Sequence, residues 1–228
     1  VLKINSFLKT LKDETISSID INDKKKCFII KIKSKYESYY PQESGGSFFS
    51  YIKKFKDINN IDLYPDTLGL DNKKLASFFS QFIFGFNLKS YTFNKYKTLN
   101  KEKINKKINF KIITSHNNKI ENAYKYYNAI KEGVFLARDL VSEPPNILSP
   151  KVYTQEIKKL SKLGLKIKVY DEKELKKLGL NALLGVGQGS VNETYLVAIE
   201  WIGNKQSKQK PLAFVGKGVC FDTGGISL

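Results

Sequence analysis

Two α/β domains joined by a long helix are what this sequence predicts, and three observations predict them. Apolar runs of strand character alternate with apolar residues at helical spacing along most of the 228 residues. One helical pattern, from about Lys119 to Val141, outruns the others and separates two such alternating stretches. An apolar fraction of 41% and an aromatic fraction of 13% are ample for packed cores and exclude a globally disordered chain. The expected organisation is a first domain over 1–118, a linker helix over 119–142 and a second domain over 143–228.

Taken in order, Cys27-Phe28-Ile29-Ile30-Lys31-Ile32-Lys33 combines β-branched residues with an alternating end and reads as a strand. Residues 34–70 are mixed, with turn signals at Gly45-Gly46 and Pro65-Asp66. From Leu75 to Phe86 the apolar residues Leu75, Phe78, Phe79, Phe82, Ile83 and Phe86 recur at helical spacing. That pattern predicts a helix with a buried face, its aromatics forming core rather than a ligand box. Asn109 to Ser115 reads as a strand, apolar at Phe110, Ile112 and Ile113. The long helix stops at Glu143-Pro144-Pro145, because a residue before proline is pushed out of the helical region.

Beyond it, Ser149-Pro150 opens a helix to Leu163, proline being favoured in a first turn. Leu165 to Tyr170 reads as a strand, and Asp171 caps a short helix ending near Gly179. Tyr195 to Ile202 and Leu212 to Val215 are predicted strands separated by a polar turn, Gly203 to Lys210. Such apolar runs belong in a sheet covered on both faces.

Several classes of function are excluded or set back. No run of about 18 apolar residues offers a membrane span. The first residues, Val1-Leu2-Lys3-Ile4-Asn5, show no apolar signal-peptide core. Cys27 and Cys220 lie far apart in strand-like runs and read as buried free thiols of a reducing compartment, so a cytoplasmic location is expected. His116 is the chain's single histidine, which argues against a His-based zinc site or a Ser-His-Asp triad within it. The formal charge is +17, with twelve of those net charges in residues 1–120. Nucleic acid is a partner such a balance suggests. The lysines are scattered, however, and the longest run is Lys24-Lys25-Lys26, so a solvated basic surface is the simpler reading.

The chemistry-bearing stretch is the last one. Phe214-Val215-Gly216-Lys217-Gly218-Val219-Cys220-Phe221-Asp222-Thr223-Gly224-Gly225 places a glycine-flanked lysine five residues before an aspartate and two more glycines. Glycine lets backbone approach a ligand closely. A lysine that is desolvated, or beside another cation, favours its neutral amine, which can ligate a metal. An aspartate is a hard oxygen donor able to bridge two divalent ions. A phosphate-binding P-loop does not fit, since Pro211 stands where its first glycine belongs and Gly218 where Ser or Thr belongs. Nor does Gly185-Val186-Gly187-Gln188-Gly189-Ser190 form a dinucleotide fingerprint, its third glycine coming one residue early.

This string resembles the signature of the leucyl aminopeptidase family (M17, cytosol aminopeptidase), with Cys220 where many members have threonine. Three other segments resemble the same family. They are Gly85 to Lys97, Ala137-Arg138-Asp139-Leu140 through Pro150, and Gly185 to Ser190. The resemblance implies a macro-like amino-terminal α/β domain, a linker helix and the start of a mixed-sheet metallopeptidase domain. It also implies an aminopeptidase releasing amino-terminal residues, often leucine, from peptides, with two divalent ions (manganese, zinc or magnesium). Lys217 and Asp222 are the metal ligands it implies in this chain. The family's other ligands, and its catalytic lysine and arginine, are expected beyond Leu228, so residues 1–228 alone are expected to be inactive. A hexamer is implied by analogy. The alternative weighed against this is a non-catalytic, basic macro-like module that binds nucleic acid or a protein partner.

Overall fold

A computed structural model describes residues 11–55, 57–99, 108–114, 117–206 and 208–220. Its packing divides the chain into two units, Val1–Asp139 and Leu140–Leu228.

The first unit is built around two helices, α1 (Tyr40–Ile52) and α2 (Asn72–Ser90). Pro41 sits in the first turn of α1, where its missing N–H costs nothing. The sequence expectation of a turn at Gly45-Gly46 is overturned here, because both glycines lie inside α1. They serve a helix crossing instead. A Cβ on Gly45 would lie 1.9 Å from the carbonyl oxygen of Phe82, and one on Gly85 would lie 1.9 Å from that of Gln42. The two backbones therefore touch through a pair of glycines, closer than any side chain permits. Asp71 caps α2, its carboxylate accepting from the backbone N–H groups of Lys73 and Lys74.

Around this crossing lies the core: Phe48, Ile52, Leu75, Phe78, Phe82, Phe86 and Ile120 are all at most 2% exposed. The expected aromatic face of α2 is core as predicted, and Phe48 contacts both Phe82 and Phe86. Strands β1 (Ile16–Asn22) and β2 (Lys25–Ile30) form an antiparallel hairpin, so the predicted Cys27 strand exists but ends earlier than Lys33. Phe28 carries the hairpin onto the core through Phe48 and Phe55. Strands β3 (Asn60–Leu63) and β4 (Asn109–Ile112) pair in parallel, with α2 in the connection between them. Ile61 and Leu63 point inward while Asn60 and Asp62 face solvent, the period-two pattern of a half-buried strand.

Helix α3 (Asn117–Ser142) is the long helix expected from the sequence. It is tied to the end of α2 by polar contacts. Asn87 donates to the Tyr124 hydroxyl at 2.8 Å, Arg138 to the Leu88 carbonyl at 2.6 Å, and the Tyr91 hydroxyl to Asp139 at 2.9 Å. The Arg138 guanidinium also lies over the Tyr91 ring. Part of the basic surface is neutralised locally, as in Lys31–Asp13 and Lys33–Glu14.

The second unit opens with α4 (Pro150–Lys159), followed by a 3-10 turn, Leu160–Leu163, that ends at Gly164 with φ 85. Strand β5 (Lys166–Tyr170) leads to α5 (Glu172–Lys177), which starts with a full capping box. The Asp171 carboxylate accepts from Glu174 N–H, and the Glu174 carboxylate accepts from Asp171 N–H. Gly179, with φ 71, closes that turn as expected. Helix α6 (Asn181–Gly187) and strand β6 (Leu196–Glu200) complete the described elements, β6 pairing antiparallel with β5.

Two expectations for this unit fail. Leu212–Val215 is not a strand, and Leu212, Phe214 and Val215 are 80%, 89% and 100% exposed. Nor is the sheet covered on both faces: β5 and β6 form a two-stranded ribbon, and Ile199 of β6 is half exposed. A strand requires a neighbour to take its backbone hydrogen bonds, and among the described residues none lies beside 212–215.

Candidate metal centre

The candidate ligand segment runs from Lys210 to Cys220 after the β5–β6 ribbon. It forms no helix or strand and is exposed throughout until Cys220, which is half-buried. Lys217 is exposed, so the desolvated surroundings expected from its apolar and glycine neighbours are absent among the described residues. Its amine enters no ion pair or hydrogen bond with them. Gly216 has open space where a Cβ would stand. Gly218 does not: a Cβ there would lie 3.0 Å from Cε1 and 3.7 Å from Cδ1 of Tyr153 on α4. The segment is thus seated on α4 immediately after the candidate lysine.

Asp222, the second candidate ligand, lies outside the described residues, as does His116. Among the described residues no group of three or more His, Cys, Asp or Glu side chains could hold a metal ion. Cys27 and Cys220 are both free thiols, as expected from sequence, and burial pushes the Cys220 thiol up. Of the two candidate ligands Lys217 alone is described: it is exposed and stands beside Gly216, which has open space where a Cβ would be.

Two features of the second unit escaped sequence reasoning. The Gly185–Ser190 string forms the end of α6 and a turn closed by Ser190 N–H on the Gly187 carbonyl. A Cβ on Gly187 would fall 1.8 Å from Thr194 Oγ1, so a larger residue there would force the Thr194 side chain to move. Thr194 N–H in turn donates to Glu172 at 2.9 Å, locking this loop to the start of α5. Beside it the Tyr195 hydroxyl donates to Glu193 at 2.6 Å, and that bond, ahead of burial, pushes the phenol up to about 12. A glycine repeat was the available signal, but its partner Thr194 could not be read from spacing.

In the first unit, a groove of about 550 Å³ is lined by residues that include Lys73, Ala76, Ser80, Lys119 and Tyr127. None of its lining residues is a candidate ligand.

Residues 135–228 match the family profile described as "Cytosol aminopeptidase family, catalytic domain". A "Probable cytosol aminopeptidase" of Agrobacterium fabrum is 45% identical over 177 residues, covering 76% of this chain and 35% of that protein. One from Phytoplasma mali is 41% identical over 189 residues, covering 82% of this chain and 37% of that protein. The chain therefore spans little more than a third of the length of these relatives. Among solved structures, a mutant of tomato leucine aminopeptidase superposes with a TM-score of 0.70 at 20% identity, covering 86% of this chain and 42% of that one. The bottromycin maturation enzyme BotP in complex with Mn gives 0.64 at 18% identity, covering 86% and 41%. These likenesses establish the α/β fold, and the sequence matches carry the further conclusion: the chain belongs to the leucyl (cytosol) aminopeptidase family.

Proposed function

We propose that this chain belongs to a metal-dependent aminopeptidase that releases amino-terminal residues, leucine among them, from peptides. The observation that carries the reading is the match of residues 135–228 to the family's catalytic domain, because that span contains Lys217 and Asp222 in their motif. Lys217 would hold one divalent ion through its amine, and Asp222 would bridge two through its carboxylate. Manganese, zinc and magnesium all suit the role, and the BotP likeness favours manganese. Bound divalent ions supply Lewis-acid polarisation of a carbonyl and a nucleophilic water at neutral pH.

What the chain's own residues contribute is placement. Gly216 leaves the space a ligand needs beside Lys217, and Gly218 lets the backbone lie flat against Tyr153. No helix among the described residues is long and apolar enough to cross a membrane. A cytoplasmic location and a hexameric assembly accompany this reading, as do domain limits of 1–118 and 143–228 about a 119–142 linker. Light scattering that returned only monomers of the full-length protein would remove the hexamer.

The decisive experiment replaces the two ligands in the full-length protein. Lys217→Ala and Asp222→Ala should each lower metal content and abolish leucine-amide hydrolysis, Asp222→Ala more severely because it would touch both ions. Wild-type metal stoichiometry and turnover in both variants would overturn the assignment. A polypeptide limited to residues 1–228 should be inactive, since a lone lysine–aspartate pair holds divalent ions weakly. Turnover by it, or tight binding of two ions, would contradict that.

A further inference from the structure

We propose that Tyr153 is the positioning residue for the Lys217 segment: its ring is the platform on which Gly218 rests, and so fixes where the neighbouring lysine amine can reach. The inference rests on the reading of Lys217 as a metal ligand. Among the described residues the segment has little else to hold it. From Lys210 to Val219 every described residue is exposed, and no backbone ladder secures the stretch. Against that background the approach of Gly218 to Tyr153 stands out, with a Cβ position only 3.0 Å from a ring carbon. Such a distance is shorter than ordinary carbon–carbon contact, about 3.5–4.0 Å, so a methyl at 218 would push the ring or the backbone by a few tenths of an ångström.

Tyr153 is itself well anchored. It lies in the first turn of α4, where its N–H donates to the Ser149 carbonyl at 2.8 Å. Its neighbour Thr154 is 7% exposed and donates to the Lys151 carbonyl. The ring is half-buried between this helix and the segment. Each metal-binding event must order the exposed lysine and its segment, at a backbone cost of roughly 1–2 kcal/mol per residue ordered. A ring under the adjacent residue removes part of that freedom before the ion arrives. This is the logic by which groups outside the ligand set tune metal affinity, typically by about 10–100-fold.

The contact is made by ring carbons Cε1 and Cδ1, not by the hydroxyl. Tyr153→Phe should therefore behave as wild type, while Tyr153→Ala should weaken the binding of manganese alone about 10-fold by calorimetry on the full-length protein. Gly218→Ala attacks the same contact from the other side without touching α4, and should weaken binding similarly. Lys217→Ala is measured in parallel to separate two failures. If Lys217→Ala leaves manganese affinity unchanged, the ligand assignment has failed. If Lys217→Ala destroys binding while Tyr153→Ala and Gly218→Ala both bind as wild type, the positioning role is refuted and the ligand assignment stands. Equal losses in Tyr153→Phe and Tyr153→Ala would also refute it, because the hydroxyl and not the platform would then be responsible.

Discussion

Gly85→Ala is the sharpest test of how the first unit is held together. In α2, Gly85 faces the backbone of α1, and the new methyl would sit 1.9 Å from the Gln42 carbonyl oxygen and 2.7 Å from its Cα. Neither atom is the end of a flexible side chain, so the helices must separate by roughly 1.5 Å to restore ordinary contact. Overpacking of this kind costs about 1–3 kcal/mol. The same separation loosens the Phe48–Phe82, Phe48–Phe86 and Phe49–Phe86 ring pairs, now 5.8, 6.0 and 5.1 Å between centroids. Each such pair is worth about 0.5–1.5 kcal/mol. Against these losses stands a helix-propensity gain of about 1 kcal/mol for alanine over glycine. The net expectation is a loss of about 2–4 kcal/mol, or a fall in Tm of roughly 5–15 °C for a chain of this size. Circular dichroism melts and urea titrations measure it. Gly133→Ala, in α3 where a Cβ meets nothing within 4 Å, is the control and should be neutral or stabilising by up to about 1 kcal/mol. Gly45→Ala should resemble Gly85→Ala, and the double variant should lose less than the sum, because one separation accommodates both methyls. If Gly85→Ala melts with Gly133→Ala, the glycine crossing is not what sets the helix spacing.

Two further outcomes follow from side chains in the second unit. Asp171→Ala removes one half of the α5 capping box and should destabilise by about 1 kcal/mol in urea titrations, whereas Asp171→Asn should retain most of that stability. Tyr195 should titrate near 12 in ultraviolet absorbance, and Glu193→Gln should bring it back toward the ordinary tyrosine value of about 10. The folded value is raised above the unfolded one, so whatever stability the Tyr195–Glu193 bond gives is complete below about pH 10 and is lost as pH climbs toward 12. A Tyr195 titration unmoved by Glu193→Gln would show that the bond is not the cause.

The elements legible in the sequence were those whose own residues carry the whole signal. Helix α2 has its inward stripe and a capping aspartate just before it, and α5 has Asp171 at one end and Gly179 at the other. Helix α1 was not legible, although Pro41, Phe48, Phe49 and Ile52 lie within it. Adjacent glycines are a turn signal by local rules, and here tertiary packing overrides the rule, because Gly45 is chosen for what lies across from it. Strands β1 and β3 were missed for a related reason. Each is short, and its strand character is fixed by pairing with β2 and β4 rather than by an apolar run of its own.

The candidate site divides along the same line. Lys217 and Asp222 could be proposed as ligands because both stand in one contiguous string, and of the two only Lys217 lies among the described residues. The environment of Lys217 was not legible, since an apolar sequence around a lysine says what the residues are suited to and not what covers them. Leu212–Val215 has strand composition, yet a strand is a relation between two segments, and the described residues supply only one. Tyr153 was invisible for a stronger reason: in sequence it is one aromatic on a polar helix, and only the fold brings it beneath Gly218. A motif can thus name the atoms that would bind a metal, while the surfaces that hold those atoms in place come from elsewhere in the chain. Substitutions at such supporting positions should change affinity without removing a ligand, and those at the ligands should remove binding altogether.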